Sequence, residues 1–163
     1  MNVTGENQLL KIGDNSDILE CEIRMYERFK EQPKELVADL VGLSVDEQCL
    51  AIFAYVAEHV RYRLDPEGKQ YIKSPARLLS DGEGDCKSLT MFICCCLHCL
   101  GVPHIFRFVN FDGSRQYSHV YAVAIDENGQ EIILDECETD GVGSPVYNYA
   151  RTYRKKKDYK YYG

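Results

Sequence analysis

Apolar positions recur at helical spacing up to Pro103 and alternate at strand spacing after it. Leu19, Ile23 and Tyr26 predict a helix from Ser16 to about Lys30. Pro33 to Val41 reads as a second, short helix, with proline first and Gly42 just past the end. Ser44-Val45-Asp46-Glu47 has the form of a capping box. It opens a third helix whose Cys49, Ile52, Phe53, Val56 and Val60 share one stripe and which ends near Arg61-Tyr62. The turn formers Asp65-Pro66-Glu67-Gly68 follow, and Ser74-Pro75 starts a short fourth helix. From Cys86 to Leu100 the chain is apolar nearly all round, the pattern of a helix buried on most sides, and Gly101 and Pro103 end it. His104–Phe111, Tyr117–Ile125 and Glu131–Leu134 are rich in β-branched and aromatic residues, with turn formers between them. The fold class expected is α+β: N-terminal helices and a central helix bearing Cys86, packed on an antiparallel sheet.

Length and composition narrow the picture. With 163 residues, 45% hydrophobic and 28% charged, the chain is long enough for one domain with its own core. That domain is expected over 1–145, after a polar start at 1–15. Residues 146–163 form a separate, tyrosine-rich basic tail. The tail holds six Lys/Arg against Asp158, about +5, so the preceding residues carry about −12 of the net −7. A solvated terminus folding back on an acidic body is the reading preferred; a nucleic-acid or acidic-partner arm is the alternative. The acidic body itself argues against general nucleic-acid affinity. The first residues lack a basic region and a long apolar run, and no stretch approaches the roughly 18 apolar residues of a membrane span. A cytoplasmic, reducing site is therefore expected.

The eight cysteines support that expectation, because Cys94, Cys95, Cys96 and Cys99 lie too close on one helix for a disulfide framework. Cys95 and Cys99 share a face, but structural zinc takes four ligands, so the cluster is read as apolar packing. No metal and no cofactor is expected.

Cys86 is different. Gly82-Glu83-Gly84-Asp85 leads into it, with Asp85 or Gly84 as helix cap. The unpaired N–H groups and partial positive charge of a helix start favour thiolate over thiol. A base is available in His119, inside the second strand, and Asp135 closes the third. A three-residue loop, Asp126 to Asn128, would set His119 opposite Asp135; a four-residue loop would set it opposite Glu136; a two-residue turn at Asn128-Gly129 would miss by three. If the contact forms, Asp135 fixes the tautomer and leaves the other ring nitrogen facing Cys86. His59, His98 and His104 have no such company.

Gly-Glu-Gly-Asp-Cys86, His119-Val-Tyr in a strand and Leu-Asp135 at the end of the next resemble the transglutaminase-like superfamily, relatives of papain-type cysteine proteases. The resemblance covers roughly residues 45–135. It implies Cys86 as nucleophile, His119 as general base and Asp135 as orienting carboxylate. It also implies attack on an amide or acyl group of a protein or peptide, through a thioester that water or an amine resolves. The small size, Lys87 after the cysteine and the lack of tryptophan depart from the large crosslinking enzymes, and look more like small bacterial or phage-encoded members. A cysteine-dependent amide or acyl hydrolase is expected. The alternatives are a protein-glutamine acyltransferase, or a weakly active binding or phage structural protein. The N–H of Cys86 is one oxyanion donor, with Gln70 and Asn110 as polar candidates for a second. Tyr62, Tyr71 and residues 112–117 are candidates for the cleft walls.

Overall fold

A computed structural model describes residues 15–66, 71–137, 145–149 and 151–161. Helix α1 (Asn15–Phe29) buries Leu19 and Tyr26. The short helix expected from Pro33 to Val41 is instead a run of turns closed by a 3-10 helix at Ala38–Leu40. Its polar, proline-led sequence buries only Pro33 and Val37, too little to hold a longer helix against a core. Helix α2 (Val45–His59) starts where Ser44 accepts a hydrogen bond from the Glu47 N–H, and the whole expected stripe from Cys49 to Val60 is buried.

Strand β1 (Arg61–Tyr62) pairs in parallel with β2 (Glu83–Gly84), a two-residue ladder the apolar pattern does not reveal. Between them lies α3 (Pro75–Asp81), capped by Ser74 with proline in its first turn. Helix α4 (Cys86–Cys99) is the hub: α1, α2 and α3 pack on it from outside, and strands β3 (His104–Asn110) and β4 (His119–Ile125) pack from within. Strand β5 (Glu131–Leu134) and β6 (Lys155–Tyr161) complete an antiparallel sheet of order β5-β4-β3-β6. The helices-then-sheet α+β architecture expected from the sequence is the one observed.

Two further expectations need correction. The segment Lys155–Tyr161 of the basic tail is the fourth strand, paired along all of β3. Its alternation was hidden by lysines: Tyr159 and Tyr161 pack against the core, while Asp158 pairs with Arg107 at 3.0 Å on the other face. Lysines on an edge strand are ordinary edge protection. The β4–β5 register also differs from every loop considered. Ile125 pairs with Glu131 and Ala122 with Leu134, so five residues form the connection. Asp126 caps this longer loop, accepting from the Asn128 and Gln130 N–H groups at 2.8 Å each.

Cys94, Cys95 and Cys96 are buried in the core, as the packing reading of that cluster expects, and Cys99 hydrogen-bonds the Lys30 carbonyl. At the β5 margin, Asn148 adopts a left-handed φ of 55° and exchanges hydrogen bonds with both backbone groups of Ile133. No helix among the described residues is long and apolar enough to cross a membrane.

Candidate active site

The N-terminus of α4 is built to hold Cys86 in place. Asp85 takes the N–H groups of Lys87 and Ser88, leaving the Cys86 N–H outside the cap. Gly84 approaches α3 and α4 so closely that a Cβ there would sit 2.5 Å from a Leu78 methyl and 3.2 Å from the Ser88 Cβ. That contact accounts for glycine ahead of Asp85-Cys86. The β1–β2 ladder then sets Tyr62 beside Gly84, bringing an aromatic ring to the same end of the helix.

Behind the turn, the buried Lys87 ammonium bonds Asp85 and lies 3.6 Å from Asp65. Asp65 in turn accepts the Tyr71 N–H at 2.6 Å, so one lysine links Asp65 and Tyr71 to the helix start. Glu22, on α1, is wholly buried nearby, with no hydrogen-bond partner among the described residues. Burial pushes its carboxyl well above the usual range, with Lys87 pulling the other way.

His119 and Asp135 meet. Their Nε2 and Oδ2 atoms are 2.7 Å apart, and Cys86 lines the same cleft as the ring. Burial works against charge on this imidazole, but the hydrogen bonds to Asp135 and Cys86 outweigh it and raise its pKa from 6.5 to about 10. Asp135 is held by the Cys137 N–H, which donates to Oδ1 at 3.1 Å. Thus β4, the end of β5 and the start of α4 converge, and Cys86, His119 and Asp135 stand together.

Other expected site residues divide. Tyr62 lines a cleft of about 690 Å³ with Leu89, Glu136 and Cys137. Tyr117 lines a second, of about 230 Å³, with Cys86, Lys87, Phe108 and His119. Tyr71 instead borders a separate cavity with Arg63 and Asp65. Asn110 is no oxyanion donor: its amide is spent on Ser114 and Gln116, holding the 110–117 loop. Gln70 lies outside the described residues. Cys137 was not expected at the site. It lies in the turn that follows Asp135, whose Oδ1 accepts its N–H, and the apolar pattern carries no sign of that turn.

Residues 35–135, more than half of the chain, match the family model described as the transglutaminase-like superfamily. The chain belongs to this superfamily. Solved structures share the transglutaminase-like fold at low identity. One, a candidate protease from Parabacteroides distasonis, is 12% identical with a TM-score of 0.59, over 72% of this chain and 25% of its own. Calcium-bound LapG from Legionella pneumophila is 18% identical with a TM-score of 0.51, over 79% and 81%. A protein from Cytophaga hutchinsonii, described as a candidate cysteine protease, is 13% identical with a TM-score of 0.53, over 96% and 61%. The chain thus spans only a quarter of the Parabacteroides protein. No curated protein matches the sequence.

Proposed function

We propose that this transglutaminase-like chain is a cysteine-dependent amide or acyl hydrolase acting on protein or peptide substrates. The observation that carries the reading is the buried His119–Asp135 pair, 2.7 Å apart, in a cleft that Cys86 also lines. Asp135 holds Nε2, which leaves Nδ1 for the sulfur. His119 holds the proton drawn from Cys86, and the thiolate attacks the carbonyl carbon. The Cys86 N–H, free of the Asp85 cap, faces the developing oxyanion. Proton return from His119 expels the amine or alcohol, and a thioester on Cys86 remains. Water, deprotonated by the same imidazole, then releases the acid and restores the thiol.

The cleft of about 230 Å³ is lined by Cys86 and His119, and the cleft of about 690 Å³ by Cys137 two residues from Asp135, room that supports a polymeric substrate and water as acceptor. The neighbours described as proteases support the same substrate class. The free thiols support a reducing, cytoplasmic setting.

The test is alkylation by iodoacetamide at about pH 6, where an ordinary thiol of pKa about 8.5 is mostly protonated. Fast labelling of Cys86, lost in His119→Ala, is expected. Labelling as slow as that of the other accessible thiols overturns the reading and favours a binding protein of this fold. Partition of an acyl-enzyme with added primary amine separates hydrolysis from transfer.

A further inference from the structure

Among the described residues, the side chains of His119, Asp135 and Cys137 form the one group whose metal-ligand atoms converge, all within 4.8 Å of one another. Strand geometry causes this. The β4–β5 register has an even offset, so Asp135, just past the end of β5, falls on the same side of the ladder as His119, and the turn at 136–137 brings Cys137 beside them. The Cys137 N–H bond to Asp135 Oδ1 then locks the turn, which keeps the carboxylate and the thiol beside the ring.

We propose that this group is an inhibitory binding site for a borderline-soft divalent cation, with Zn²⁺ the best fit. The proposal rests on the catalytic reading above and adds a control to the same site. One nitrogen, one oxygen and one sulfur suit zinc, whereas Ca²⁺ and Mg²⁺ ask for oxygen throughout. Bonds of about 2.0–2.3 Å in a tetrahedron put ligand atoms about 3.3–3.8 Å apart. The present spacing therefore needs only side-chain rotation, including opening of the 2.7 Å His119–Asp135 contact. A fourth position is left for water or the Cys86 sulfur.

The surroundings favour a cation. Asp135 brings a carboxylate to the group, and Cys137 lines the larger cleft, which gives an ion a way in. Zinc displaces the thiol and ring protons as it binds. With its lone pair on the metal, His119 no longer accepts the Cys86 proton, and the site is off until a chelator removes the ion.

The experiment titrates EDTA-treated full chain with Zn²⁺ alone. It reads stoichiometry by competition with a chromophoric chelator, and Cys86 alkylation by mass spectrometry. Expected are one ion per chain and, at zinc tenfold above its dissociation constant, about tenfold slower labelling restored by EDTA. Loss of even an outer-sphere partner costs metal sites about 10–100-fold, so Cys137→Ser should weaken zinc at least tenfold. Cys137→Ala serves if the serine variant folds poorly. Ca²⁺ should do nothing.

Fast, His119-dependent labelling that zinc does not slow overturns the metal site and leaves the catalytic reading standing. Zinc binding that needs Cys137, beside labelling slow and independent of His119, keeps the metal site and sinks catalysis. Equal zinc affinity in wild type and both variants places the ion elsewhere and overturns the proposal.

Discussion

His119 Nε2 and Asp135 Oδ2 sit 2.7 Å apart although the β4–β5 ladder aligns them diagonally, two positions out of direct register. The contact works because a shift of two preserves the face, while a shift of one would turn the carboxylate away.

Asp135→Asn should expose how much that diagonal contact does. Its amide would present N–H to Nε2 and favour the tautomer with no lone pair facing sulfur. Turnover of any amide or ester substrate is expected to drop about 10²–10⁴-fold. Cys86 labelling at about pH 6 should slow with it, and labelling at the wild-type rate would contradict the role given to Asp135.

Gly84→Ala places a methyl group against Leu78 and Ser88 beneath the Cys86 turn. We expect a loss of about 1–3 kcal/mol in urea unfolding, typical of overpacking, together with slower Cys86 labelling. Unchanged stability would mean that α3 yields freely at this point.

His104 gives a pH signature away from the site. Burial lowers its pKa from 6.5 to about 4, against a hydrogen bond to the Val102 carbonyl, while Tyr26 Oη lies 2.8 Å from Nε2. The unfolded chain then binds more protons than the folded one between those values. This contribution to stability is present above about pH 6.5 and is lost as pH falls towards 4. Chemical denaturation of wild type and His104→Gln across that range should give a difference curve of this slope. A flat difference contradicts a neutral, buried imidazole.

Removing residues 155–163 should unfold or aggregate the protein, not merely trim it. Arg107 would lose Asp158, keeping Glu131 at 2.8 Å, and Tyr26 and Phe106 would lose the Tyr161 ring. Thermal melting and size-exclusion chromatography test this, and an unchanged melting temperature would show β6 to be dispensable.

Much of this was legible beforehand because local rules carry it. Ser44, Ser74 and Asp85 cap their helices as their side chains dictate, and the Cys49–Val60 stripe is buried as its spacing demands. What stayed hidden needed partners distant in sequence. The tyrosines of β6 lie under a lysine run, β1 and β2 are too short for a period to show, and loop length alone left the hairpin register open. Cys86, His119 and Asp135 were readable as a set because face parity survives the register error. Cys137 was not, since its place depends on the turn after β5.

Asn148 and the lysines of β6 treat the two margins of the sheet differently. One is plugged by a single residue that spends its own polar atoms on Ile133; the other is guarded by charge. Strand-to-strand stacking between copies is disfavoured at both borders, so concentrated solutions of the folded protein should resist fibril growth while the cleft stays open to a passing chain.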